Sequence, residues 1–192
     1  LERTIEESDA LIRIFNALLM ISRAEAGSTP GTMGDVNLAE IVADVVELYE
    51  PVADEAGMSL QLGPNPVSSV HGNRELLGQA IANLIDNAIK YGKPAAGNGT
   101  PDILIETQVL PDRVVLSVAD RGPGIPHGQH ERVLERFVRM EESRARPGSG
   151  LGLSLVAAIA QVHKGTISLR DNSPGTKAVL SLPLVTQRAG VD

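Results

Sequence analysis

The sequence predicts an α/β domain with a largely antiparallel sheet, preceded by one long amphipathic helix. Three observations carry this. Apolar residues recur at alternating steps of four and three through the first 26 positions. Later helix-length segments, the clearest from Arg74 to Tyr91, keep a 3.6-residue period. Short runs alternating apolar with polar side chains lie between and after them. A chain of 192 residues suits one medium domain plus an appendage.

The heptad runs through Leu1, Ile5, Ser8, Ile12, Phe15, Leu19, Ser22 and Ala26, widened by Leu11 and Leu18, with Glu2, Arg3, Glu6, Glu7 and Arg13 outside it. Such a helix wants a partner helix, or its own domain, along its apolar face. Gly27, Pro30, Gly31 and Gly34 read as its end and a linker. Asn37 and Glu40 form a capping box that opens a helix to about Ala56. Short strands follow at Met58–Leu62 and Val67–His71, then the helix Arg74–Tyr91, ended by Gly92 and Pro94. Ile103–Val109 and Arg113–Ala119 make a hairpin through Leu110, Pro111 and Asp112. A turn over Asp120–Pro126 leads to a helix through about Phe137 and then to an Arg-rich stretch with glycines. A helix from about Leu151 to His163 and strands at Thr166–Arg170 and Lys177–Leu184 complete the domain.

Composition excludes several functions. The chain carries 17 Lys and Arg against 24 Asp and Glu, a net charge of −7, and only two Tyr, two Phe and no Trp. Nucleic-acid binders need a basic stripe or a stacking platform, so none is expected as a partner. The absence of cysteine removes disulfides, thiolate metal sites and cysteine nucleophiles. No apolar run reaches the roughly 18–20 residues that span a bilayer. The opening residue is Leu1, inside a periodic pattern, and no signal peptide precedes it, so the chain reads as an intracellular fragment of something longer.

Three segments carry chemistry. At 100° per residue, Gln79, Asn87 and Lys90 fall within about 40° of Asn83, opposite Leu77, Ile81, Leu84 and Ala88. Carboxamide oxygens suit Mg²⁺ when phosphates supply the negative charge, and a Lys in the same row can neutralise a phosphate. An ordinary solvated polar face has the same pattern. Asp120 ends a strand beside Gly122 and Gly124, where a carboxylate can accept from an exocyclic amine and the glycines admit a flat ring. A plain Asx-turn reads identically. Gly148, Gly150 and Gly152, with Ser149 and Leu151 between them, precede a helix whose N-terminal N–H groups suit phosphate. A tight packing turn is the alternative. Leu153 stands where a dinucleotide fingerprint would need its third glycine.

Taken in order, N-x-x-x-N-A-x-K-Y (Asn83 to Tyr91), D-x-G-x-G-I (Asp120 to Ile125), F-x-R (Phe137 to Arg139) and G-x-G-L-G-L (Gly148 to Leu153) closely resemble the catalytic ATP-binding domain of sensor histidine kinases. The likeness runs from about residue 36 to 185, and the preceding helix resembles the second helix of that family's dimerisation and phosphotransfer hairpin. The resemblance implies a two-layer α/β sandwich, a mixed sheet backed by helices (the Bergerat-type ATP fold), with ATP on the helical side.

Carried over residue by residue, the resemblance makes Asn87 the Mg²⁺ ligand, with Asn83 close to the metal and phosphates. Lys90 would touch phosphate and Tyr91 would lie near the nucleoside. Asp120 would hold the adenine amino group in a pocket shaped by Gly122, Gly124 and Ile125. Phe137 and Arg139 match the F box, whose arginine reaches the terminal phosphate. Gly148, Ser149, Gly150, Leu151 and Gly152 would close around the phosphates, and residues 138–148, with Arg139, Arg144 and Arg146, would form a lid. Asn83, Asn87, Lys90 and Arg139 would be the catalytic set.

The related gyrase, chaperone and mismatch-repair ATPases place a water-activating Glu one turn before the first Asn. Gln79 stands there, and an amide is not a base. That favours phosphoryl transfer over hydrolysis. The family's acceptor histidine sits in an H-[ED]-x-x-[TN]-P motif, and none of His71, His127, His130 or His163 has it. His163, followed by Lys164 and Gly165, matches a structural position at the end of the last helix. The expected organisation is residues 1–27 as part of the hairpin, 28–35 as linker, 36–185 as catalytic domain and 186–192 as tail. Expected partners are ATP or ADP with Mg²⁺, a second protomer through the hairpin helices, and a response regulator. The catalytic part is expected in the cytoplasm, any membrane anchorage coming from segments upstream. A serine kinase of the anti-sigma type and a nucleotide-gated module without phosphotransfer are the rival readings.

Overall fold

The computed structural model describes residues 33–94, 102–126, 128–135 and 152–185. The heptad helix, Phe137, Arg139, the 138–148 lid, Gly148, Ser149, Gly150, Leu151 and the 186–192 tail lie outside the described residues. Strand β1 (Gly34–Asn37) leads into helix α1 (Leu38–Glu55), followed by β2 (Ser59–Leu62), β3 (Ser69–Gly72) and helix α2 (Arg74–Tyr91). Strands β4 (Asp102–Val109) and β5 (Arg113–Ala119) form the expected hairpin. Helix α3 (Gly152–Val162) and strands β6 (Thr166–Asp171) and β7 (Thr176–Pro183) complete the order.

Five strands form one sheet in the order β2-β4-β5-β7-β6, with β2 parallel to β4 and every other pair antiparallel. The mixed, largely antiparallel sheet is as the sequence predicts. Its alternation separates two faces. Ile103, Ile105, Leu116, Leu180 and Leu182 are fully buried against Leu77, Ile81, Leu84 and Ile85 of α2, Val156 and Ile159 of α3, and Leu38 and Val42 of α1. Glu106 and Gln108, on the other face of β4, remain partly or fully exposed. The result is helices on one side of a sheet, a two-layer α/β sandwich.

Both long helices begin on an asparagine. Asn37 Oδ1 accepts from Ala39 N at 3.1 Å, and Asn37 Nδ2 donates to Glu40 Oε1 at 3.0 Å. The capping box therefore closes through the side-chain amide rather than through the Asn37 main-chain N–H. Asn73 Oδ1 accepts from Leu76 N at 2.9 Å at the start of α2.

Two expectations change. Gly34 and Asp35 fall in the expected linker, yet they belong to β1, which pairs antiparallel with β3, Gly34 opposite Gly72. Four residues carry too little alternation to signal a strand; the partner lies more than 30 residues away. The helix expected after Pro126 is, among the described residues, only a single 3-10 turn at Arg132–Leu134. Gly128 takes a left-handed φ of +83° just before it, which interrupts helical continuation.

His163 ties the end of α3 to the start of α2. Buried after α3, its Nδ1 donates to Ile159 O at 2.7 Å and its Nε2 accepts from Asn73 N at 3.0 Å. The Nε2 bond requires the neutral ring, whereas the Nδ1 bond would survive protonation. Desolvation holds its pKa below the usual 6.5, against the Ile159 bond and with help from nearby His71. A depressed folded pKa means that the stabilisation is complete above about 6.5 and is lost as pH falls below it. His163→Ala should cost about 1–3 kcal/mol at pH 7.5, because Asn73 N–H is left buried without an acceptor. Chemical denaturation across pH 5 to 8 should show a flatter acid limb in the variant; an equally steep one would contradict the assignment.

Candidate nucleotide site

The polar row on α2 is not a solvated face. Gln79, Asn83 and Asn87 are all partly buried, and the N-terminus of α3 lies against Asn83 and Asn87. A Cβ placed on Gly152 would stand 3.3 Å from Asn83 Oδ1 and 3.4 Å from Asn87 Nδ2. A side chain there would fit only if the Asn83 carboxamide gave way by a few tenths of an ångström. Asn83 Nδ2 donates back to Gln79 O at 2.8 Å, which leaves Oδ1 turned toward Gly152. Asn87 Nδ2 is buried with no hydrogen-bond partner. An unpartnered buried amide costs about 1–3 kcal/mol and persists only where the surrounding structure holds it. Lys90 lies one turn on, exposed, with Nζ 2.5 Å from Asp86 Oδ2.

The second half of the site gathers around Asp120. Its side chain is 9% exposed, and Oδ1 accepts from Gly122 N at 2.9 Å and Thr176 N at 3.1 Å. No other protein donor among the described residues reaches the carboxylate, so Oδ2 keeps its acceptor capacity. Burial pushes this carboxyl above the usual 3.8, while the Gly122 and Thr176 N–H groups pull it back. Gly92, directly after α2, packs its backbone on the Asp120 side chain, and Gly122 packs on Tyr91 O and on Gly92. A Cβ on either glycine would collide. The β5 end and the α2 end are thereby locked together, and at 1.5 Å rise per residue the Asn87 and Asn83 carboxamides lie roughly 7–14 Å along the helix from Gly92. Gly124, at φ +78°, and partly buried Ile125 carry the loop back to the core.

Of the residues singled out in the sequence, Asn83 and Asn87 meet Gly152, Asp120 meets Gly122 at the end of α2, and Gly124 and Ile125 lie in the loop that follows. Sequence reasoning missed Gly92, Thr176, Asn172 and Gly175. Gly92 read as a helix stop, and the other three lie between the two closing strands. The contacts of those three with Asp120 cross more than 50 residues, and no local pattern signals them. Among the described residues no cluster of three or more His, Asp or Glu could hold a metal ion. A cation here would lean on carboxamides and on oxygens brought by a ligand.

A buried carboxylate with one oxygen open and a helix N-terminus against two carboxamides suit a nucleotide. The chain belongs to the histidine kinase-, DNA gyrase B- and HSP90-like ATPase family, whose model matches residues 72–186. Its likeness within that family is to sensor histidine kinases. The sensor-like histidine kinase SenX3 of Mycolicibacterium smegmatis is 34% identical over 185 residues, covering 95% of this chain and 47% of SenX3. A mycobacterial sensor histidine kinase MprB structure superposes with a TM-score of 0.67 at 28% identity, covering 80% of this chain and 98% of that one. Full-length ShkA, solved in complex with AMPPNP, gives a TM-score of 0.77 at 25% identity over 94% of this chain and 37% of its own. The chain thus spans about half the length of the curated relative. No helix among the described residues is long and apolar enough to cross a membrane.

Proposed function

We propose that this chain is the ATP-binding catalytic part of a sensor histidine kinase, which transfers the γ-phosphate of ATP to a histidine on a dimerisation hairpin for relay to a response regulator. The observation that carries it is the meeting of Asn83, Asn87 and the α3 N-terminus at Gly152. Residues 1–27 would belong to the hairpin, 28–35 to the linker and 36–185 to the catalytic domain, with β1 adding Gly34 and Asp35 to it; 186–192 would be the tail. Two protomers would pair through the hairpin helices.

Asp120 Oδ2 accepts from the adenine amino group beside Gly122, Gly124 and Ile125, with Tyr91 near the nucleoside. The phosphates run along α2 toward Gly152, where the dipole of α3 and its free N–H groups favour negative charge. Lys90 exchanges Asp86 for a phosphate oxygen. Gly148, Ser149, Gly150 and Leu151 close the phosphate side, and Phe137 and Arg139 bring a guanidinium to the terminal phosphate. The unpartnered Nδ2 of Asn87 is a donor and fits a phosphate oxygen, which leaves the carboxamide oxygen of the same side chain as the atom for a divalent ion. Asn87, with Asn83 near it, would hold Mg²⁺, which supplies charge neutralisation to the phosphates when bound. Gln79 lies where a hydrolase would need a base, so water beside the γ-phosphate is left unactivated.

This chain contains no H-box histidine, and a parental hairpin bearing one is therefore the test substrate. Incubated with γ-labelled ATP, the chain alone should label itself almost not at all and hydrolyse ATP very slowly. Added hairpin should acquire acid-labile, base-stable label, because the chemistry needs mainly positioning and charge neutralisation. Acid-stable label on serine would point to the anti-sigma type of kinase, and rapid phosphate release to an ATPase.

A further inference from the structure

The turn that joins β6 to β7 lies against the carboxylate end of β5. Asn172 Nδ2 donates to the main-chain oxygen of Asp120 at 2.7 Å. Asp120 N donates to Thr176 O at 2.9 Å, and Thr176 N donates to Asp120 Oδ1 at 3.1 Å. The turn is itself rigidly closed. Asn172 N donates to Gly175 O at 3.0 Å, and Ser173 donates through N and Oγ to the two carboxylate oxygens of Asp171 at 3.1 and 3.3 Å. Gly175 takes φ +111° and packs on Asp120 O, where no Cβ would fit. Reversing the chain between two strands needs none of the contacts that this turn makes to β5.

We propose that Asn172 is a positioning residue for base selection: its carboxamide fixes the Asp120 main chain and so aims Oδ2 at the base. Oδ1 is pinned to Gly122 N and Thr176 N, and those donors hold the carboxylate only while the backbone between them stays put. Without the Asn172 donor, the Asp120–Arg121 peptide can turn about its flanking dihedrals. That rotation moves Gly122 N, lengthens its bond to Oδ1 and swings Oδ2 away from an amino group in the pocket. The phosphate half of the site, on α2 and α3, makes none of these bonds and is left as it was. The proposal rests on the adenine role of Asp120.

Calorimetry of ADP and GDP binding to the whole chain tests it, on the parent, Asn172→Ala and Asn172→Asp. The second variant keeps the shape and removes the donor. Both should bind ADP roughly 5–20-fold more weakly and GDP within about twofold of the parent, so base selectivity falls by that factor. The pH at which ADP affinity is half lost, set by ionisation of Asp120, should move in both. Unchanged ADP affinity and selectivity would overturn the proposal. So would equal weakening of ADP and GDP with a lowered melting temperature, the signature of general loosening. A parent that itself binds ADP and GDP alike would instead remove the adenine role of Asp120.

Discussion

Asp120→Asn is expected to weaken ATP on the order of 10–100-fold, about 1.5–3 kcal/mol, the loss of a charge-assisted hydrogen bond. GTP, whose six-position oxygen faces the carboxylate in the parent, should bind the parent poorly and lose little in the variant. The unliganded variant should melt at or above the parent at neutral pH. The sign follows from burial: the folded pKa of Asp120 is raised, so the ionised form is disfavoured in the fold. Its contribution to stability is therefore best at low pH and declines as pH rises through the raised pKa, whereas asparagine contributes no such slope. ATP affinity runs the opposite way and falls on acidification, because the protonated carboxyl no longer offers a free anionic acceptor. Comparable ATP and GTP affinities for the parent would defeat the assignment.

Asn87→Ala should weaken Mg·ATP on the order of 100-fold, about 2.8 kcal/mol, and metal-free ATP by less than about threefold. Titrations with Mg²⁺ and with a chelator separate the two. Equal weakening would reject the metal role. Phosphotransfer to an added hairpin should vanish with the same substitution. Alanine also removes a buried amide that has no partner, so the unliganded protein should lose little stability despite the small void. Asp120 and Asn87 thus share a property. Each carries a polar cost in the empty fold that a nucleotide would relieve, as sites held ready for a ligand do.

The motifs were legible because each is local. Asn83, Asn87 and Lys90 share one side of α2 by helical geometry alone, and Asp120 with Gly122 and Gly124 is a strand end followed by a turn. Their order along the chain pointed to one family before any contact was known. The helix α2 was read to its residue limits, since a strong period within it and Gly92 and Pro94 after it agree. Strand β1 was not, because four residues become a strand only when β3 lies beside them.

By itself the sequence determined most of the elements, the antiparallel bias of the sheet and the order of the nucleotide motifs. Tertiary structure decided which side of each ambiguity holds. Whether the carboxamide row is solvated or covered depends on α3 arriving with Gly152 against it, a contact across more than 60 residues. Asp120 does make the Asx-turn, with Gly122 N on Oδ1; Thr176 N shares that oxygen and Asn172 holds the main-chain oxygen, so that Oδ2 has no donor among the described residues. Helix period and turn chemistry are written in neighbouring residues; burial, orphaned amides and raised carboxyl pKa values arise only when distant segments exclude water from the same place.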